Sequence, residues 1–287
     1  MKKLGIETSI SNTQHGRFGA MQYEKLREHG FLYADLGLCA TDTDVYTLPI
    51  DAARALIEEK LALAKAAGVT IWQVHGPWRY PPRDLTDEDR AERFAKMSRS
   101  IELCAMMGAK YWVIHPIMPY GVEDLDNGHA EDTYRMNVEF MRRLLSVAKA
   151  NGVTICYENM PFLRFSLSTP EQIMRVVNEI NDESFRVCLD TGHVNVFEGL
   201  AIGDAVRTIG KKLAVVHIHD NYGDGDRHQW PGDGTIDWSG FKTALGEIGF
   251  DGVYSLETLP KGEMTDEEYD AQAARLGKIA RALFAEG

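Results

Sequence analysis

The chain has 287 residues, with 31 lysines and arginines against 43 aspartates and glutamates, and a formal net charge of −12 at pH 7. A chain of this length can bury a large core, so its stability requires neither disulfides nor a structural metal. The acidic balance argues against sequence-independent binding of nucleic acid, which depends on a positively charged protein surface. No uncharged run is long enough to span a bilayer, and Glu7 interrupts the apolar start, so we expect neither a membrane segment nor a signal peptide.

The cysteines indicate a reducing environment. None of the four forms a C-x-x-C pair, and two lie inside apolar runs that are typical of strands: Cys39, Cys104, Cys156 and Cys188. Buried, reduced thiols are the ordinary interpretation of such residues. We therefore expect a cytoplasmic protein.

Short apolar runs alternate with helical patterns along the whole chain. The runs predict strands at 4–9, 31–38, 70–74, 111–114, 154–157, 186–189, 214–216 and 252–256. Helices are predicted at about 21–29, from the N-cap Asp51 to Gly68, from Thr86 to Gly108, at 130–150, from Thr169, at 202–212, from Asp237 to Gly249, and from the capping box of Thr265 and Glu268.

Eight strand-then-helix units predict an α/β fold. Strands that are apolar throughout and alternate with amphipathic helices indicate a parallel sheet covered by helices. Eight units favour a closed (β/α)8 TIM barrel over an open doubly wound sheet, and no G-x-G-x-x-G motif follows the first strand. Because no linker or shift in composition marks a boundary, we expect residues 1–287 to form one domain.

Six of the predicted strands lead into a residue that could bind a metal or move a proton. These residues are His75, His115, Glu158, Asp190, His217 and Glu257. The carboxyl ends of the strands of a TIM barrel converge on one mouth, where active sites lie, so we expect these side chains to meet. The loops after two of the strands add His193, Asp226, Arg227 and His228 to the same end.

Each of these residues also has an ordinary structural interpretation. A histidine at a strand end is often only a hydrogen-bonded core or surface group, and a carboxylate there can cap the next helix. However, apolar runs lead directly into Glu158, Asp190 and Glu257, and several carboxylates buried together are costly unless a cation offsets their charge. A mixed set of nitrogen and oxygen donors suits zinc, manganese, cobalt or magnesium, so the pattern favours a divalent metal site.

Five motifs near the strand ends are distinctive: YEN at 157–159, LDTGH at 189–193, HIHD at 217–220, PGDGTIDW at 231–238 and FDGVYSLE at 250–257. With them the chain resembles, over nearly its whole length, the xylose isomerase-like barrel superfamily. That superfamily holds sugar and sugar-phosphate isomerases and epimerases, including the ketose 3-epimerases, together with endonuclease IV. The resemblance implies one divalent ion, Mn2+ before Zn2+, Co2+ or Mg2+, with the ligands Glu158, Asp190, His217 and Glu257.

The resemblance also implies a reaction. In the ketose epimerases the metal holds a ketone and its neighbouring hydroxyl and stabilises an enediolate, while two glutamates act on opposite faces of the substrate. Here Glu158 and Glu257 would be the catalytic pair that removes and returns the proton. His193 would hydrogen-bond the substrate oxygen, and the other expected substrate contacts are His75, His115, Asp226, Arg227 and His228. We expect a small sugar or sugar phosphate as substrate, no nucleic-acid or membrane partner, and a homodimer or homotetramer.

Three alternatives remain open. The same proton abstraction could start a β-elimination, as in inosose and dehydroshikimate dehydratases. An endonuclease IV-like nuclease has ligand types with counterparts in three groups, which are His75, His115 and Glu158; Asp190, His217 and Glu257; and His193, Asp226 and His228. Against the nuclease, Gly192 stands where that enzyme has a cysteine, PGDGTIDW belongs to the isomerases, and the chain is acidic. The third alternative is a sugar-binding barrel without turnover, which would not need two opposed bases.

Overall fold

Eight parallel strands form a closed barrel in which each strand pairs with the next and β8 pairs with β1. The computed structural model describes residues 2–9, 23–78, 80–82 and 84–285. The strands are β1 (Lys3–Ser9), β2 (Tyr33–Gly37), β3 (Thr70–His75), β4 (Tyr111–Ile114), β5 (Thr154–Glu158), β6 (Phe185–Asp190), β7 (Leu213–Ile218) and β8 (Val253–Leu256). The predicted (β/α)8 barrel is confirmed.

The helices lie between successive strands in the chain, except α10, which follows β8. They are α1 (Tyr23–Glu28), α2 (Asp44–Thr47), α3 (Ile50–Ala67), α4 (Asp87–Met106), α5 (Ala130–Ala150), α6 (Pro170–Ile180), α7 (Thr191–Asn195), α8 (Ile202–Ile209), α9 (Trp238–Glu247) and α10 (Asp266–Ala280). A 3-10 turn (Gly210–Lys212) follows α8, and a π-helical turn (Arg281–Ala285) follows α10. Within the described residues, no helix is both long and apolar enough to cross a membrane.

The floor of the barrel mouth is apolar. Side chains alternate between the two faces of a strand, so the residue two positions before each strand-end group shares its face. Cys156 precedes Glu158 in this way, Cys188 precedes Asp190, and Val215 precedes His217. Together with Val113 and Ala214 these residues form a buried cluster of their own. The charged residues of the mouth therefore lie directly above this buried apolar cluster.

Two of the predicted helix boundaries are wrong. Helix α3 begins at Ile50 after Pro49, which makes no side-chain cap, so Asp51 lies in the first turn instead of capping it. Its carboxylate there still suits the positive end of the helix dipole. Helix α8 ends at Ile209 because Gly210 adopts the non-helical angles φ 56 and ψ −136. Residue 21, where the first helix is predicted to begin, lies outside the described residues.

The capping box of α10 is confirmed, since the Thr265 hydroxyl accepts a hydrogen bond from the Glu268 amide and the Glu268 side chain returns one. Helices α4 and α6 start with boxes of the same kind, at Thr86 and Thr169. The sequence patterns did not predict the short helices α2 and α7. Helix α7 starts directly at Asp190, and this placement shapes the site.

Candidate active site

A cavity of about 340 Å³ opens at the carboxyl ends of the strands. One part of its wall is polar and carries histidines and carboxylates from several strands, and another part is apolar and comes from the loops after β3 and β5. The lining residues are Cys39, His75, Trp78, Tyr80, His115, Met160, Pro161, Phe162, His193, Asp226, His228 and Glu257. Five of the six residues predicted to bind substrate are among them.

His217 lies at the centre of the carboxylates. Its Nδ1 is 2.7 Å from Glu158 Oε1 and 3.0 Å from Glu257 Oε2, and its Nε2 is 2.7 Å from Asp35 Oδ2. Burial disfavours a charge on this imidazole, but the nearby Cys188 thiol and the carboxylates of Glu257 and Glu158 outweigh it and raise the pKa of His217 well above its usual value. In the absence of a cation, the imidazole is therefore protonated on both nitrogens and positively charged.

Glu158 is fully buried among imidazoles. Its Oε2 lies 2.9 Å from His115 Nε2 and 3.3 Å from His75 Nε2, although neither contact has the angles of a hydrogen bond. Burial alone would raise the pKa of this carboxyl, but His217 and His115 lower it well below its usual value. For His115 burial prevails over the attraction of Glu158 and lowers the pKa to about 4. The carboxylate is thus ionised and His115 is neutral at pH 7.

Asp190 acts at two places at once. Its Oδ1 accepts a hydrogen bond of 2.7 Å from the His193 amide and so caps α7, while its Oδ2 lies 3.0 Å from His219 Nε2. Burial opposes the charge of this carboxyl, but His193 and His219 outweigh it and lower its pKa. The helix-capping interpretation is therefore correct for one oxygen, and the other oxygen faces the histidine cluster.

His193 is fixed from one side by the backbone. Its Nδ1 donates to the Asn159 carbonyl at 2.8 Å, and its Nε2 lies 3.5 Å from Asp226 Oδ2. Burial disfavours its charge, but Asp190 and Asp226 outweigh that effect and raise the pKa of His193 to about 10. The ring is therefore a cationic hydrogen-bond donor at the edge of the cavity.

A second cluster lies further out, in the loop after β7. His228 Nδ1 donates to the Glu257 carbonyl at 2.6 Å, and its Nε2 lies 3.2 Å from Asp226 Oδ1. The ring stacks on His219, with 4.0 Å between the centroids. Burial opposes the charge of His228, but the hydrogen bond to Asp226 and the charge of Glu257 raise its pKa to about 10. Asp226 and His228 thus form an ion pair that borders the cavity.

The structure does not bring the Arg227 guanidinium to this cluster. Its side chain is exposed and forms an ion pair of 2.9 Å with Asp224. Asp226 and His228, on either side of it in the chain, both line the cavity, but Arg227 is not among the lining residues. The backbone of the loop turns this side chain away from its neighbours.

Sequence reasoning missed three residues of the site, which are Asp35, Cys39 and Glu7. Asp35 contacts His217, and Cys39 lines the cavity. His219, two residues after His217, contacts Asp190. Glu7 on β1 pairs in register with Asp35, and burial together with Glu257 raises its pKa to about 7. Both acids interrupt otherwise apolar strands, which is the same signal that marks Glu158, but they lie inside the strand instead of at its end.

The donor set fits a divalent cation. Glu158 Oε2 and Glu257 Oε2 are buried and lack a hydrogen-bond partner in the described structure. Donor atoms within 4.8 Å of one another occur in several groups, including His75, His217 and Glu257; His75, His115 and Glu158; and Asp190, His193 and His219. Buried carboxylate oxygens without a donor are stabilised by a cation, so the geometry is compatible with a metal among these residues.

The fold and the cluster define a TIM-barrel protein whose carboxylates and imidazoles meet at the mouth. The chain belongs to the family described as xylose isomerase-like TIM barrel, which it matches over residues 23–278. Membership in this family confirms the resemblance seen in the sequence motifs.

Several relatives carry functional names. The chain is 30% identical over 164 residues to the inosose isomerase of Bacillus subtilis, covering 55% of this chain and 56% of that one. It is 29% identical over 208 residues to the D-psicose 3-epimerase of Ruminiclostridium cellulolyticum, covering 70% and 67%. The matched segments thus span between about half and two thirds of these relatives. A crystal structure of the IolI protein with a bound zinc atom superposes with a TM-score of 0.71 at 20% identity, covering 99% of this chain and 98% of that one.

Proposed function

We propose that the protein is a divalent-metal-dependent isomerase or epimerase that acts on a keto-sugar or a sugar phosphate. The observation that carries the proposal is the pair Glu158 and Glu257, whose carboxylates both lie within 3.0 Å of His217 Nδ1. Glu257 also borders the cavity. Relatives named inosose isomerase and D-psicose 3-epimerase support the same class of reaction.

The proposed ligands of the ion are Glu158, Asp190, His217 and Glu257. Support comes from their buried, partly unpaired oxygens and from the zinc atom in the structure of the related IolI protein. Mixed carboxylate and imidazole donors suit Mn2+, which we favour, and also Zn2+, Co2+ or Mg2+. When bound, the ion would supply electrostatic stabilisation of negative charge on the substrate oxygens.

The protein's own residues would bind the sugar and move its proton. One glutamate removes the proton next to the carbonyl, and the other returns it to the opposite face or to the adjacent carbon. The cationic His193, whose ring the Asn159 carbonyl orients, donates a hydrogen bond to a substrate oxygen. Trp78 and Phe162 line the apolar part of the cavity, where they would cover a sugar ring and exclude water.

Exchange of protons with solvent D2O tests this proposal. A panel of ketoses and their phosphates, incubated with the Mn2+-loaded protein, should include a substrate that incorporates deuterium next to its carbonyl without net loss of water. The variants Glu158→Gln and Glu257→Gln should abolish the exchange, because an amide cannot take up the proton. Glu247→Gln, which changes an exposed partner of Arg207, is the matched control and should keep full activity.

The readout separates the candidate reactions. Loss of water from the substrate would indicate a dehydratase instead. If no sugar exchanges its proton and added Mn2+ rescues nothing, the proposal is wrong. Retained exchange in both glutamine variants would equally contradict the assigned roles.

An endonuclease IV-like nuclease is the second candidate, and one observation favours it. His193, Asp226 and His228 gather within ion-pair distance, and so do His75, His115 and Glu158, as two of the three predicted ligand groups of such a nuclease would require. The net charge of −12 argues against a DNA substrate. Incision of DNA that contains an abasic site, lost in Asp226→Asn, would establish the nuclease.

A further inference from the structure

A buried ion pair lies behind the cavity. Arg93, in the middle of α4, is 8% exposed, and Asp84, in the loop after β3, is 0% exposed. The guanidinium contacts the Asp84 carboxylate directly. Neither residue lines the cavity. Because apolar residues often replace buried ion pairs without loss of stability, the pair calls for an explanation other than the stability of the fold.

The pair connects two loops at the mouth. Arg93 donates to the carbonyls of His115 at 3.5 Å and of Pro116 at 3.4 Å, both in the loop after β4. Asp84 accepts a hydrogen bond of 2.9 Å from the amide of Met118 in the same loop. The loop after β3 is therefore linked to the loop after β4 by the hydrogen bonds and the ion pair of Arg93 and Asp84.

These two loops carry Trp78 and His115, which form one wall of the cavity. The two rings meet edge to face, with 4.4 Å between their centroids, and the Arg93 guanidinium lies 5.7 Å from the centre of the Trp78 ring. The other edge of His115 faces Glu158, with 2.9 Å between Nε2 and Oε2. Arg93 thus contacts both the backbone of His115 and the ring that packs on its side chain.

His115 differs from its neighbours in how its ring is held. The Nδ1 atoms of His75, His193 and His228 each donate to a backbone carbonyl, at 2.9, 2.8 and 2.6 Å. His115 Nδ1 is buried and has no hydrogen-bond partner in the described structure. Its orientation therefore depends on the packing of Trp78 and on the position of its own backbone, and Arg93 contacts both.

We propose that Arg93 and Asp84 are positioning residues that hold His115 against Glu158. The planar guanidinium can reach the Asp84 carboxylate and two carbonyls at once, and the single ammonium of a lysine cannot reproduce this geometry. The contact between His115 and Glu158 exists whatever the reaction is. The proposal therefore does not depend on the sugar isomerase assignment.

Histidine side-chain NMR of the full-length, 15N-histidine-labelled protein tests this role. The His115 resonances, assigned by their loss in His115→Gln, should broaden or split in Arg93→Met, because the ring samples several orientations. The matched control is Arg99→Met, which removes a guanidinium from the same helix that donates to the Leu48 carbonyl at 2.6 Å. The His115 resonances should stay unchanged in that control.

Two further variants keep the test decisive. Arg93→Lys should retain the thermal midpoint of the protein but show the broadened His115 resonances. The lysine keeps the positive charge but lacks the planar guanidinium with its several donors. If Arg93→Met does not fold, Asp84→Asn gives the same readout with a smaller change. Sharp, unshifted His115 resonances in a folded variant with a lowered thermal midpoint would show that the pair is only structural and overturn the proposal.

The kinetic effect is distinct from that of lost stability. Once an exchanging substrate is known, Arg93→Lys should lower kcat on the order of tenfold, with KM changed by less than about twofold, because a misplaced group costs rate more than binding. Absence of any exchange in the wild-type protein would count against the sugar isomerase function. It would leave the NMR result, and hence the positioning role, intact.

Discussion

Carboxylates hold the His217 imidazole at both of its nitrogens. Asp35 accepts at Nε2, and Gln73 Nε2 in turn donates to the same Asp35 oxygen at 2.8 Å. A partner on one ring nitrogen fixes which nitrogen remains free for a metal and sets the direction of the ring. Asp35 therefore directs Nδ1 of His217 toward Glu158 and Glu257.

Replacement of this partner tests its role at the level of a single residue. Asp35→Asn should weaken Mn2+ binding by about 10- to 100-fold, because the neutral amide no longer stabilises one tautomer of His217. Isothermal titration calorimetry measures the affinity. Asp270→Asn is the matched control, since Asp270 in α10 pairs at 2.8 Å with His29, the residue after α1. Equal affinities in both variants would mean that His217 is oriented without Asp35.

Helix α7 links the proposed metal site to the fold. This helix of five residues begins at Asp190, whose Oδ1 satisfies the His193 amide at its N-terminus. The same helix carries His193 into the cavity. One carboxylate therefore both starts the helix and faces the cluster. A change at this position should alter both the stability of α7 and the affinity for a cation, and the two can be measured separately.

Two substitutions at Asp190 separate them. Asparagine is as good an N-cap as aspartate, whereas alanine is not, so the metal-free Asp190→Asn protein should be more stable than Asp190→Ala by about 1 kcal/mol. The urea midpoints of the two variants measure this difference. Both variants should lose Mn2+ affinity to a similar extent, because both lack the negative charge. Equal urea midpoints would show that the cap contributes nothing to α7.

Several charged groups of the site lie together above the buried apolar cluster of the barrel. The protonation state of the protein and its metal affinity are therefore coupled. His217 is a positively charged imidazolium because its pKa is raised, whereas Glu158 is already ionised because its pKa is lowered. A cation at Nδ1 must displace the proton of His217 but takes none from Glu158. Metal binding therefore releases protons.

The sign of the pH dependence follows. The apparent Mn2+ affinity should rise with pH throughout the usual titration range of histidine and continue to rise above it, because the raised pKa of His217 keeps a proton in competition for the imidazole there. Calorimetry at pH 7 in two buffers of different ionisation enthalpy counts the protons released. His29→Gln, far from the site, should leave that number unchanged, whereas an affinity independent of pH would rule out His217 as a ligand.

The sequence predicted the barrel and the convergence of the strand ends well, because strand alternation and the order of strands in a closed barrel are local and regular. The site roles of Asp35 and Glu7 were not predicted because both residues lie inside strands, β2 and β1, and not at strand ends; Asp35 contacts His217, and Glu7 is close enough to Glu257 for its pKa to rise. The direction of Arg227 depends on the backbone of a glycine-rich loop, and no periodicity encodes that. Asp51 failed as a cap because Pro49 already fixes the entry to α3.

The cap of α7 also limits which ions the site can accept. Asp190 Oδ1 already accepts a hydrogen bond from the His193 amide, so Oδ2, which faces the histidine cluster, is the oxygen better placed to bind a cation. Bidentate coordination by Asp190 would compete with the hydrogen bond that caps the helix. Calcium, which takes about six to eight oxygen ligands, is therefore poorly matched, while smaller ions that accept fewer ligands and an imidazole are favoured. The hydrogen bond that caps α7 thus bears on the coordination number of the proposed ion.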